Sequence, residues 1–339
     1  MVDKKVVTRD SLVNDLKNFG VKEGDVLYIK GDLGHVAEPK NIEGKLSHYF
    51  IDVLLEAVGN SGTIVTAAYT KSFPFWKVSK NNCFTKESKS YCGTIPYLFL
   101  KRKDCVRSTH PTSSYVAIGP KAEYILFDHT PKSLAYEPFK KMLELNAKTL
   151  IFGCVGSSPD FPTTHYVEDV LHLAKKNFLH GFSQVYYVDN KGEMKKFKRK
   201  DPGSCGGSIA AEKLYHMYYE AGIMKIGKFG QSLAVLSNQR DSYRIAFNAL
   251  KNNRGFITCD NPLCIYCNLL IPRKKHAVLL FFLVKIWVII FKMICNVLNN
   301  KPWKDVIRKG IGEYDVNKDS IFKHEIAEIN SMYHISITD

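Results

Sequence analysis

Acidic residues are scarce in this chain. Its 339 residues include 33 Asp and Glu against 48 Lys and Arg, a formal net charge of +15. Such a balance favours an anionic partner: nucleic acid, an acidic membrane surface or a phosphate-rich ligand. No nucleic-acid recognition motif accompanies the charge, and dispersed lysines on a polar surface explain it equally well, so no nucleic-acid partner is expected. The compact His-Glu-x-x-His zinc signature is also missing. That counts against metal-assisted hydrolysis on His110, His165, Glu168 and Asp32, a rival chemistry for the same residues. The nine cysteines follow no regular framework, which fits a reduced compartment better than a disulfide scaffold. Cys259-x4-Cys264-x2-Cys267 has the spacing of a plant-type ferredoxin loop. The fourth cysteine on offer, Cys295, sits in an apolar segment, so reduced thiols and no bound metal are expected. Met1 to Asn14 is polar with no signal-peptide core, and a cytosolic start is expected. No internal repeat is visible.

What is present is an ordinary globular mixture, 45% hydrophobic and 24% charged, with enough apolar material for a sizeable core. Thr8 or Asp10 can cap a first helix carrying Leu12, Leu16 and Phe19 and closed by Gly20. Asp25 to Lys30 reads as a buried strand, Leu46 to Val58 as a helix ended by Gly59, and Gly62 to Tyr69 as the next strand. A helix between two strands indicates an α/β layered fold. Such folds bind ligands beyond the carboxyl ends of their strands, which marks the loops after Lys30 and Tyr69 on topology alone. Ser72 to Ser90 reads as a long surface loop. Short helices are expected at Gly93 to Lys101 and Glu137 to Leu145, with a strand at Thr149 to Gly153. Phe182 to Val188 and Met194 to Arg199 form an antiparallel pair around Asp189-Asn190-Lys191-Gly192. Helices are expected at Ala210 to Tyr219 and Gln231 to Leu250.

The stretch that carries most chemistry is Pro162-Thr163-Thr164-His165-Tyr166-Val167-Glu168-Asp169. Thr163 or Thr164 can cap a helix running from Tyr166 to Ala174. His165 and Glu168 stand three residues apart and would point the same way. The carboxylate favours the protonated imidazole and the helix start disfavours it, a balance that suits a general base near neutrality. The plain alternative is a surface histidine in a weak ion pair.

Arg107-Ser108-x-His110-Pro111-x-x-Ser114, preceded by Ser90-x-x-Gly93-x-x-x-x-Leu98 and followed by Gly119-Pro120, joins Thr163-x-His165-x-x-Glu168 in one order along the chain. Together they resemble the aminoglycoside 3-N-acetyltransferase (antibiotic N-acetyltransferase) family, over roughly Thr8 to Asn253. The resemblance implies an α/β fold, a three-layer α/β/α sandwich with a mixed central sheet. It implies acetyl-CoA as co-substrate and an N-acetyltransferase activity. Departures from the family pattern inform the substrate. Lys30-Gly31-Asp32-Leu33 replaces the usual His-Ser-Ser-Leu, and members of the polysaccharide-biosynthesis-like branch often carry Ser-Asp-Leu there, so Asp32 leans toward a sugar. Gly62 to Thr70 keeps the pattern's last threonine, Thr70, and loses its proline. The nearest counterpart of the family's further acidic residue is Asp201.

Moving an acetyl group from a thioester to an amine requires a neutral amine, donors for the developing oxyanion and a cleft for CoA. His165 would take the amine proton, with Glu168 fixing its tautomer. Backbone N–H groups near Asp32 to Gly34 would serve the oxyanion. Arg107, Lys30 or Lys71 would meet the CoA phosphates. The resemblance assigns Ser108, His110 and Ser114 to the acyl-donor side. The cofactor-binding set is thus Asp32, Gly34, Thr70, Arg107, Ser108, His110 and Ser114. From the residues alone, Arg107 to Pro111 reads equally as a solvated turn bent by proline.

Length suggests about two domains, divided here as 1–255, the acetyltransferase domain, and 256–339, a C-terminal helical extension. Ala277 to Leu298 is about long enough to span a bilayer, but Lys285 near its middle costs roughly 2.5–3.5 kcal/mol. Lys274, Lys285 and Lys292 fall on one narrow helical stripe beside Asn296 and Asn299. A helix lying in the membrane interface fits that stripe, and the basic residues along 273–308 favour anionic lipid. The other reading is a tail helix packed on the domain or in a homo-oligomer interface. The expectation is a cytoplasmic enzyme, peripheral to the inner face of the membrane, acetylating an amino sugar or aminoglycoside. The contrasting reading is a non-catalytic membrane-associated scaffold of the same fold.

Overall fold

The computed structural model describes residues 6–37, 41–155, 161–173, 182–201, 209–256 and 258, together with 282, 283, 286–288, 290, 291 and 294. Cys259, Cys264, Cys267 and most of the segment 277–298 lie outside the described residues. Helix α1, Arg9–Phe19, starts at Thr8, whose hydroxyl accepts the Ser11 N–H in a reciprocal capping box. It ends at Gly20 with φ 112°, a conformation that costs glycine least. Strand β1 (Val26–Gly31), helix α2 (Leu46–Val58) and strand β2 (Thr63–Ala67) follow as the hydrophobic pattern requires. β3 is the short strand Phe73–Pro74, inside the segment read as loop. Then come α3 (Thr94–Leu100), β4 (Val106–Arg107), β5 (Tyr115–Ile118), α4 (Ala122–Leu126), α5 (Pro138–Glu144) and β6 (Lys148–Phe152). The chain continues with α6 (Pro162–Val170), β7 (Ser183–Val188), β8 (Met194–Lys198), α7 (Ile209–Glu220), β9 (Met224–Phe229), β10 (Ser232–Asn238) and α8 (Gln239–Asn252).

Seven strands form one mixed sheet in the order β4-β5-β2-β1-β6-β10-β9. The centre, β2-β1-β6, is parallel, and both flanks are antiparallel hairpins. Alternation along β1 divides the core. Leu27 and Ile29 face one layer with α1, α2 and α3, while Val26 and Tyr28 face α4, α5 and Tyr166 of α6. Ile151 of β6 and Val235 of β10 pack with α6, α7 and α8 on that second side. The result is an α/β/α sandwich. The small sheet β3-β7-β8 stands apart from it.

The largest departure from the sequence reading lies near the end of the domain. Gln231 to Leu250 is not a single helix: Ser232–Asn238 is strand, and Asn238 caps the helix by accepting the Arg240 N–H. Gly230, at φ 60°, turns the chain between β9 and β10. The run Leu233-Ala234-Val235-Leu236 carries no helical periodicity that a strand buried on both faces would not also show.

The topology sets the carboxyl ends of β1, β2 and β6 side by side, and the loop joining β4 to β5 opens on the same edge, because Tyr115 pairs with Ala67. Gly153 lets two of these ends meet. Its φ is 66°, and an added Cβ would stand 2.4 Å from the carbonyl oxygen of Asp32. Gly153→Ala is therefore expected to destabilise the chain by about 2 kcal/mol or more, read as a lowered midpoint in urea unfolding.

Candidate active site

The site grows from α6, which follows the carboxyl end of β6. Pro162 occupies the first helical position and Phe161 the cap, so neither threonine is the cap. Proline is suited to that position because its missing N–H would have no helical partner. Thr163 and Thr164 are buried instead, with Thr163 Oγ1 3.2 Å from Ser242 Oγ of α8.

One turn into the helix, His165 Nδ1 lies 2.8 Å from Glu168 Oε2. The side chains are 14% and 2% exposed, so this is no surface ion pair. The Tyr136 ring stacks on the imidazole at 5.1 Å. Tyr136 itself is held from behind, its N–H donating to Asp169 Oδ2 at 3.1 Å. Burial pushes the Asp169 carboxyl up to about 7. Asp201, also buried, is paired with Arg199 through an Nη2–Oδ2 contact of 2.6 Å. Burial raises the Tyr136 hydroxyl, and Asp201, Asp169 and Glu168 add to the effect. Three carboxyl groups thus converge electrostatically on one ring beside His165. Tyr136 and Asp169 carried no assigned role in the sequence reading. Asp169 adjoins Glu168, but its burial depends on α5 and α6 packing, which no local pattern reports.

From Tyr136 a line of aromatic contacts leads to the loop between β4 and β5. Tyr136 meets Tyr69 edge-on at 6.4 Å, and Tyr69 and Tyr115 share a hydroxyl hydrogen bond of 2.9 Å. Tyr115 meets His129 at 5.6 Å, and His129 stacks on His110 at 4.8 Å. The imidazole on α6 and the Arg107-to-Ser114 motif are therefore joined by one continuous run of ring contacts.

Within that motif most of the polar side chains have partners inside the protein. Arg107 is 4% exposed and faces the interior, not a phosphate. Nε and Nη2 each donate to Ser114 Oγ at 3.2 Å, Nη1 to the carbonyls of Lys86 and Ser88, and Nη2 also to Ala68 O at 2.9 Å. All five guanidinium N–H groups are engaged. Burial pulls its pKa down to about 10. Ser114 Oγ donates to Ala68 O at 2.7 Å. Ser108 Oγ accepts the Tyr115 N–H at 2.9 Å and pairs with His129 Nδ1 at 3.0 Å. The Thr70 hydroxyl donates to the Pro111 carbonyl. The polar groups of Arg107, Ser108, Ser114 and Thr70 accordingly hydrogen-bond within the protein.

His110 differs. Its Nδ1 accepts the Ser113 N–H at 3.0 Å, which puts the proton of the neutral ring on Nε2. Burial holds its pKa well below the ordinary histidine value. Nε2 is buried and makes no hydrogen bond in the structure. The loop after β1 is exposed: Asp32 Oδ1 accepts the Gly34 N–H at 2.9 Å, and Oδ2 lies 3.1 Å from His35 Nδ1. Those contacts are local, and the structure records none between Asp32 and the α6 cluster. Among the described residues no group of three His, Cys, Asp or Glu side chains could hold a metal ion.

A family model described as aminoglycoside 3-N-acetyltransferase matches residues 38–251. The chain belongs to that family. Membership makes it an N-acetyltransferase, in a family that takes its acetyl group from acetyl-CoA. Among relatives, the aminoglycoside N(3)-acetyltransferase IX of Micromonospora chalcea is 23% identical over 71% of this chain and 92% of its own length. The aminoglycoside N(3)-acetyltransferase VIII of Streptomyces fradiae is 28% identical over 58% of this chain and 72% of its own. The solved aminoglycoside acetyltransferase AAC(3)-IVa shares the fold with a TM-score of 0.62 and 20% identity, over 80% of this chain and 98% of that one. The solved binary complex of AAC-IIIb with CoASH gives 0.59 and 22%, over 73% and 97%.

Two outcomes follow from the burial described above. Arg107→Lys leaves carbonyls that a lysine's three donors cannot all reach, and it should lower unfolding stability by about 3 kcal/mol in urea titration. Asp169 has a folded pKa raised above its unfolded value near 3.9. Its contribution to stability is complete below about pH 4 and declines as pH rises through about 7. Asp169→Asn keeps an acceptor for the Tyr136 N–H and should remove that decline from a Tm-against-pH series.

Proposed function

We propose that the chain transfers the acetyl group of acetyl-CoA to an amine of an amino sugar or aminoglycoside, with His165 as general base and Glu168 as the group that orients it. The 2.8 Å contact between His165 Nδ1 and Glu168 Oε2, in a setting nearly closed to water, carries this reading. An ionised carboxylate only accepts hydrogen bonds, so Nδ1 bears the proton and the lone pair is on Nε2. That nitrogen is suited to take a proton from a sugar ammonium. The resulting imidazolium is stabilised by Glu168 below and by the face of Tyr136 beside it.

The acceptor class rests on charge. Although the whole chain carries +15, the neighbourhood of His165 is acidic: Glu168, Asp169 and Asp201 all act on Tyr136, and Arg199 offsets only Asp201. Burial strengthens such interactions locally beyond what the distant lysines contribute. An ammonium-bearing sugar fits that field better than a neutral or anionic one. On the donor side, His110 Nε2–H is a buried donor without a protein partner, suited to a carbonyl of the pantetheine arm or the thioester. With Arg107 committed to the interior, Lys30 and the exposed Lys71 are the cations left for the CoA phosphates. When bound, acetyl-CoA supplies the activated acyl group; the chain's own residues orient the amine and remove its proton.

The test is release of CoA thiol with a panel of aminoglycosides and simpler amino sugars. His165→Ala should lower kcat by about 10²–10⁴-fold. Glu168→Gln should lower it less and shift the acidic limb of the kcat–pH profile. Turnover unchanged in His165→Ala would refute the assignment of the base.

A further inference from the structure

Near the C-terminus, large apolar side chains stand in solvent along one helical stripe. Leu283, Ile286, Trp287, Ile290, Phe291 and Ile294 all have helical backbone and are 45–70% exposed. At about 100° per residue they sweep a single arc of about 140°, which Phe282, also exposed, widens to about 180°. One exposed leucine needs no explanation, but six large apolar groups on one face mark an interaction surface.

Charge distinguishes the occupants. From residue 261 to 304 the sequence contains no Asp or Glu and seven Lys or Arg. A second copy of this chain would bring an equally basic segment, with no acidic residue in that stretch to offset the charge. An anionic lipid surface neutralises that charge at roughly 1 kcal/mol per basic residue held near it. On a helical projection of the sequence, Lys274, Lys285 and Lys292 fall half a turn from the apolar arc, the side that faces water when a helix lies flat. Trp287 and Phe291 suit the headgroup boundary. Lysines opposite an apolar arc fit a helix lying in the plane of the interface.

We propose that this stripe is a lipid-docking face that seats the chain on the surface of an anionic phospholipid bilayer. The inference is independent of the acetyl-transfer reading, since none of the six residues belongs to the site on α6.

The experiment is sedimentation of the full chain with vesicles of equimolar phosphatidylcholine and phosphatidylglycerol, and with vesicles of phosphatidylcholine alone. Binding to the mixed vesicles should exceed binding to the neutral ones by more than about tenfold at low salt. The double variant Trp287→Glu, Phe291→Glu should lose at least about tenfold of that binding, while its circular dichroism and its activity on soluble acceptors match the parent chain. Failure of the parent chain to pellet with either vesicle, equal binding to both, or full binding by the folded double variant would each overturn the proposal. So would light scattering that shows a vesicle-free dimer dissolved by the double variant, which would assign the stripe to a second copy.

Discussion

A guanidinium closed inside the protein is the constraint on which the rest of this site depends. Arg107 ties the end of β2, through Ala68, to the 86–88 segment and to Ser114 at the start of β5. Taking a cation out of water is expensive unless its hydrogen-bonding capacity is met, and here five donors are met by backbone carbonyls and one hydroxyl. Those partners come from three separate stretches, so the ion can be satisfied only when all three are in place. The loop between β4 and β5 is thereby fixed in one geometry, and with it Ser108, His129 and His110. The unusual feature is not the arginine's charge but the polar backbone it gathers: segments that would otherwise need water find their donor in a single side chain.

A second arrangement hangs on that fixed loop. Tyr115 links it to Tyr69, Tyr69 to Tyr136, and Tyr136 to His165. The imidazole is held between a carboxylate on its own helix and an aromatic ring whose backbone is pinned by the residue that follows that carboxylate, Asp169. Imidazole and carboxylate thus come from α6, and the supporting ring from the turn that precedes α5. In the proposed role of base, an imidazole held in this way would need little reorganisation when it takes up a proton.

The outline of the fold was legible because its signals are local. The Thr8 cap, the Gly20 stop, the apolar spacing of α2 and the hairpin turn at Asp189 each act within a few residues. The contact between His165 and Glu168 was legible for the same reason, the two being one helical turn apart. What was not legible depends on distant partners. Arg107 reads as a phosphate ligand in sequence because nothing nearby in the chain announces the carbonyls of Ala68, Lys86 and Ser88. Ser108, Ser114 and Thr70 read as contacts to a ligand although their hydroxyls serve the protein. The β9–β10 hairpin was missed because a short, fully buried apolar run looks alike in helix and strand. Pro162 displaced the expected threonine cap because it starts the helix one residue before Thr163.

The borders of the seven-stranded sheet bear on how copies of the chain can meet. One border, β4, is two residues long, and the other, β9, carries Lys225 and Lys228 in solvent. Short or lysine-bearing borders discourage another chain from adding a strand to them. Continuous cross-molecule pairing is therefore disfavoured at both limits of the sandwich, which leaves a chain rich in buried β structure protected from ribbon-like polymerisation at high concentration.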